Sequence, residues 1–153
     1  MAEILSEDVH KQVHRFWAIL SGKLPDKLED MYSATGIVFT GKAKRSESAK
    51  LMAMRRSRQL LGPTLCSRAE VGSIDIQIVG QDVAIAAYTY SFNTQKTLPN
   101  GGKVQINTLF GRATQIFQRG EDDALRIVHE HLSAAAPPAR EKEPEHWQTE
   151  PRV

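Results

Sequence analysis

The run Ala124-Leu-Arg-Ile-Val-His-Glu-His-Leu-Ser133 constrains the fold of this chain most. It is rich in strand-forming residues and carries a carboxylate in its middle. Successive side chains of a strand point to opposite faces. Strict alternation therefore predicts Leu125, Ile127, His129 and His131 on one face, with Arg126, Val128, Glu130 and Leu132 on the other. Just before it come Gly111-Arg-Ala-Thr-Gln-Ile-Phe-Gln-Arg119 and an acidic turn at Glu121, Asp122 and Asp123. The two runs read as a closing hairpin.

Helical patterns precede the strands. Val9, Val13, Phe16, Trp17 and Leu20 recur at helical spacing, which predicts a helix over about 6–20 with Ser6 as its cap. Pro25 suits the first turn of a second, short helix presenting Leu28, Met31 and Tyr32. Gly36 to Gly41 encloses a short apolar strand. A third helix is predicted over about 46–61, closed by Gly62-Pro63. Strands follow. Ile74, Ile76 and Ile78 alternate with polar residues, so Asp75 falls on the opposite, wetter face. Gly80-Gln-Asp82 turns the chain into a β-rich run from Val83 to Asn93. A loop at Leu98 to Gly102 leads into a long strand, 103–119, with Gly111 at a bend. Helices first and antiparallel strands afterwards indicate an α+β fold. The expected form is a cone: a strongly curved, mostly antiparallel sheet packed against three N-terminal helices.

The chain has 153 residues, enough for one substantial core and too few for two. With 41% apolar and 25% charged residues it has the make-up of a soluble globular protein. A net charge of +2 gives no electrostatic case for nucleic acid or a membrane surface. Cys66 is alone, so no disulfide closes within the chain. The N-terminus lacks the pattern of a secretory signal, and no apolar run approaches the roughly 20 residues that span a bilayer. A cytoplasmic protein is expected. Residues 1–136 read as the domain. Residues 137–153 are charged and proline-rich, with too little apolar surface to offset ordering, and read as a flexible tail in which Trp147 is the one anchor-like side chain.

The final run "RIVHEHLS", with Gly80-Gln-Asp-Val-Ala-Ile-Ala-Ala-Tyr88, resembles the nuclear transport factor 2-like and SnoaL-like families. Within them it looks most like the association (hub) domain of calcium/calmodulin-dependent protein kinase II. The resemblance implies a homodimer through the outer sheet face, or a larger ring, and a deep pocket. In the hub family three arginines line that pocket and attract carboxylates. Their positions fall here at Tyr90, Gln115 and Leu132, none of them arginine. Such a pocket suits a neutral, partly apolar ligand.

Tyr88, Tyr90 and Phe92 share one face of their strand, and Asn107, Leu109, Gly111, Ala113, Gln115 and Phe117 share one face of the next. If these faces point inward, Tyr88, Tyr90, Gln115, Glu130, Asn107 and Trp17 line a ligand pocket, and Gly111 and Ala113 leave room opposite the tyrosines. The same residues would otherwise simply fill the core. Glu130 and Tyr90 are the candidate catalytic pair of a cofactorless isomerase, hydratase or hydrolase, since a carboxylate in an apolar cone gains the raised pKa of a general acid or base. A non-catalytic binding or assembly domain is the favoured reading, because no convincing set of paired acids is present. His129 and His131 would sit about 7 Å apart on one face, without a third ligand at a telling spacing, so no metal is expected. The histidines are instead expected at a subunit interface, and His10 and His14 in solvent. Arg55, Arg56 and Arg58 form a small basic cluster, read as a solvated helix face. No phosphate loop, dinucleotide fingerprint or nucleophile elbow occurs, and no cofactor is expected.

Overall fold

The computed structural model describes residues 3–40, 47–55, 59–61 and 64–135. The tail, Trp147, Arg56 and Arg58 lie outside them, as does the side chain of Arg55. The elements in order are helix α1 (Ser6–Leu20), a 3-10 turn (Leu28–Met31), β1 (Tyr32–Thr40), β2 (Glu47–Ser48), helix α2 (Ala49–Arg55), β3 (Gln59–Leu61), β4 (Thr64–Val71), β5 (Asp75–Val79), β6 (Val83–Thr97), β7 (Lys103–Arg119) and β8 (Leu125–Ala135). The strands form one open sheet in the order β2-β1-β8-β7-β6-β4-β3, with β5 beside β4 on the same edge of β6. β1 runs parallel to β8; the other pairs are antiparallel. Among the described residues no helix is long and apolar enough to cross a membrane.

Helix α1 forms where the apolar spacing predicts it. Val9, Val13, Phe16, Trp17 and Leu20 are buried, each worth about 1.5–3 kcal/mol for a fully buried large side chain. Ser6 is its first helical residue and not its cap. The entry is closed by Asp8, whose carboxylate accepts the Leu5 N–H at 3.1 Å. Gly22, at φ +81°, ends the helix and donates its N–H to the Ile19 carbonyl.

Two α-helices are present among the described residues where three were expected. The second predicted helix contracts to the 3-10 turn, which starts at Leu28 after Lys27 and leaves Pro25 outside it, and is anchored by buried Leu28 and Met31. The third predicted helix keeps only Ala49–Arg55. Its two ends are claimed by the sheet: Glu47 and Ser48 pair with Val38 and Ile37, and Gln59–Leu61 pairs with β4. Strand pairing overrides helix propensity there.

Ile74 and Ile76 pack against the core and Asp75 faces solvent, as expected, but Ile78, expected on the buried face, is exposed. Gly111 pairs in unbroken register with Tyr90 and Ala134, and the irregularity of the β6–β7 ladder lies at Ile106, between the pairs Thr94–Asn107 and Gln95–Gln105.

Candidate site: a hydrogen-bond chain ending at Glu130

One irregularity in β8 sets the site. Phe117 pairs with Ile127, yet Ile116 pairs with His129, so β8 carries one extra residue at Val128. A bulge of one residue swaps the faces of everything beyond it. Leu125 and Ile127 point into the core, and after the bulge Glu130 and Leu132 do so as well. The predicted grouping of Leu125 and Ile127 with His129 and His131 is therefore corrected: the histidines lie on the opposite face from those two residues. β1 is irregular at the same level, between Tyr32–Ile127 and Ile37–His129. Gly36 lets it pass, since a Cβ there would meet the Ile127 carbonyl oxygen at 2.9 Å.

Glu130 and Gln115 are direct cross-strand partners, and both have no exposed surface. Four hydrogen bonds join five side chains. Trp17 Nε1 donates to the Tyr88 hydroxyl at 2.9 Å. Tyr88 donates to Gln115 Oε1 at 2.7 Å. Gln115 Nε2 donates to Glu130 Oε2 at 2.6 Å. From the other side, the Tyr32 hydroxyl donates to Glu130 Oε1 at 2.8 Å. The chain begins on α1, crosses β6, β7 and β8, and ends on β1.

An indole N–H can only donate, so the direction of the chain is set at Trp17. Burial pushes the Glu130 carboxyl up to about 7, while the bonds from Gln115 and Tyr32 pull it down by favouring the anion. Burial first, and then the neighbouring carboxylate, raise the Tyr32 hydroxyl well above the usual phenol range. Burial also raises Tyr88, against the bond from Trp17 and with the help of Glu130. Tyr90 is pushed up to about 12 by burial and by Glu130. Among the described residues no cationic side chain meets the carboxylate.

Of the expected pocket residues, Trp17, Tyr88, Gln115 and Glu130 are joined directly. Tyr90 stands beside them, its ring 4.5 Å from that of Trp17 and 5.9 Å from that of Phe92. Its hydroxyl has no hydrogen-bond partner among the described residues. The space above Gly111 is taken by Tyr90 itself: a Cβ at Gly111 would overlap the end of the Tyr90 ring. The side chain of Asn107 lies outside the described residues. Leu132 is buried on the same side as Gln115 and Tyr90, so the three positions aligned with the hub arginines do share one face. Tyr32 is the member that sequence reasoning missed. Its only signal was a place on the apolar side of the predicted second helix, and only the parallel pairing of β1 with β8 brings it to Glu130.

The outer face is different. Phe39 stands between His129 and His131, with ring centroids 6.4 and 6.3 Å away. Ile37, His129, Ile116 and Ile85 form one continuous cross-strand row there. A separate cavity of about 260 Å³ lies between the start of α1 and the β7–β8 hairpin, lined by Asp8, Lys11, Gln12, Arg119, Asp123 and Leu125.

No family model and no curated protein matches the chain. Solved structures do. The association domain of C. elegans calcium/calmodulin-dependent protein kinase II superposes with a TM-score of 0.60 at 16% identity, over 83% of this chain and 93% of that one. A nuclear transport factor 2-like superfamily protein of Salmonella enterica gives 0.62 at 18% identity, over 89% and 94%. A protein of Novosphingobium aromaticivorans provisionally assigned as a scytalone dehydratase gives 0.68 at 11%, over 85% and 83%. The chain has the nuclear transport factor 2-like, cystatin-like fold.

Proposed function

We propose that this chain is a small-molecule-binding and self-associating domain, with a pocket for a neutral, partly apolar ligand walled by Trp17, Tyr88 and Tyr90, with Gln115 buried behind them. The observation that carries the reading is the enclosure of Glu130. It has no exposed surface, and Tyr32 and Gln115 each hold one of its oxygens. A carboxylate so placed orients its neighbours and does not meet a substrate. Tyr90 is the aromatic whose hydroxyl is left to bind a ligand. The nearby negative charge, without a cation beside it, disfavours a carboxylate ligand. Self-association is supported by the association-domain neighbour and by the apolar and imidazole-bearing outer face. A homodimer across that face is the simplest closed arrangement. The domain bounds 1–136, a cytoplasmic setting and function without nucleic acid, membrane or cofactor belong to the same proposal.

The matched probes 2-naphthol and 2-naphthoate test it. 2-Naphthol should raise the melting temperature of the wild type and have less effect on Tyr90→Phe, with naphthoate ineffective. Stabilisation by naphthoate and not by naphthol would overturn the reading.

One observation favours a second reading, a cofactorless acid–base enzyme using Glu130 and Tyr90: the carboxyl is held near 7, where a general acid or base works best. That reading requires the cover over Glu130 to open when substrate binds. Turnover of any substrate that is lost in Glu130→Gln, with binding retained, would select it.

A further inference from the structure

The hydrogen-bond chain has a balance that depends on one proton. With Glu130 ionised there are four donors, from Trp17, Tyr88, Gln115 and Tyr32, and each has its own acceptor. A protonated carboxyl carries a donor of its own. Both of its oxygens already face donors, so the added hydrogen gains an acceptor only if a neighbour turns: the Tyr32 oxygen accepts from no donor of the chain, but it can take this hydrogen only when Tyr32 swings its own away. Reversing the Gln115 amide does not remove the conflict. Its NH2 would then meet the Tyr88 oxygen, which already accepts from Trp17, and the Tyr88 hydrogen would lose its acceptor. A buried donor without a partner is costly, so the surplus must be resolved by moving a group.

We propose that Glu130 is a proton-operated switch for the chain that ties α1 to the sheet: ionised, it completes the chain, and protonated, it forces the chain to reverse or break at Gln115 or Tyr32. One proton enters from solvent, and only hydrogen bonds change. The groups facing the carboxylate are Tyr32 from β1, Tyr88 and Tyr90 from β6, and Gln115 from β7, with Trp17 one link further on α1. His129 and His131 are on the opposite face of β8, and His10 and His14 on the exposed side of α1. The raised carboxyl value places the switch near neutral pH. The inference rests on the hydrogen-bond geometry alone and does not depend on the pocket's ligand.

The reporter is the indole N–H of Trp17 at the far end of the chain. Full-length protein carrying Trp147→Phe gives a single indole signal in ¹H–¹⁵N NMR, because the chain has two tryptophans. Between about pH 5.5 and 8.5 the Trp17 indole should shift with one midpoint near 7. In Glu130→Gln that transition should vanish. Tyr32→Phe removes a donor that favours the anion, so it should move the midpoint upward by ~0.5 unit or more, and it decides the matter if Glu130→Gln fails to fold. A flat indole signal in the wild type, the same transition in Glu130→Gln, or an unmoved midpoint in Tyr32→Phe would overturn the switch.

Discussion

Tyr32 and Glu130 lie 98 positions apart and share a 2.8 Å hydrogen bond in which no atom of either side chain is open to bulk water. The bond exists because β1 lies parallel to β8 and the bulge at Val128 turns Glu130 inward. Removing the hydroxyl leaves one carboxylate oxygen without its donor. Tyr32→Phe should therefore cost about 1–3 kcal/mol, read from urea unfolding at pH 8, where the carboxylate is mostly ionised. A loss below about 0.5 kcal/mol would mean the bond does not form.

Stability should fall as pH rises from about 4.5 to about 7. The Glu130 carboxyl sits at about 7 in the fold against an ordinary 4.5. The folded protein thus keeps a proton that the unfolded chain has released. Its contribution is most favourable below about 4.5 and is lost as pH climbs to 7, by about 3 kcal/mol in all. Glu130→Gln should flatten this slope in unfolding measured across pH. Asp122 acts with the opposite sign: its exposed pair with Arg126 lowers it to about 2, so its small contribution disappears only as pH falls through that value.

Gly111 should not tolerate a side chain. A Cβ there meets the end of the Tyr90 ring and lies 2.7 Å from the Ser133 carbonyl oxygen. Gly111→Ala should cost about 1–3 kcal/mol, because the backbone of β8 cannot retreat without opening the ladder. Equilibrium unfolding checks it; a neutral substitution would show that Tyr90 stands elsewhere.

Self-association should depend on the outer face. Ile37 is 43% exposed and Phe39 lies between the two histidines. Phe39→Glu should convert a dimer to monomer in sedimentation velocity at micromolar concentration. A wild type that sediments as a monomer at neutral pH would refute the interface.

Much of the site was legible because it sits in local, antiparallel structure. Tyr88 and Tyr90 share a phase on one strand, Gln115 lies on the next, and a short turn joins that to Glu130, so alternation together with the hub-domain resemblance collects them. Alternation failed at Val128, where one inserted residue puts Glu130 on the same face as Leu125 and Ile127; nothing in the run Ile-Val-His-Glu marks the insertion. Tyr32 was out of reach for a different reason. Its partner strand follows it by nearly the whole domain, and a parallel pairing leaves no turn in the sequence. The predicted helix at 46–61 shortened for a third reason: its propensity is real, but both ends gain more as edge strands.

The most direct measurement is a ¹³C NMR titration of the glutamate side-chain carboxyls in the full-length protein. One signal, absent from Glu130→Gln, should titrate with a midpoint near 7. A spectrum in which no glutamate signal titrates near 7 would contradict a buried Glu130, without a cationic partner, in the chain from Trp17.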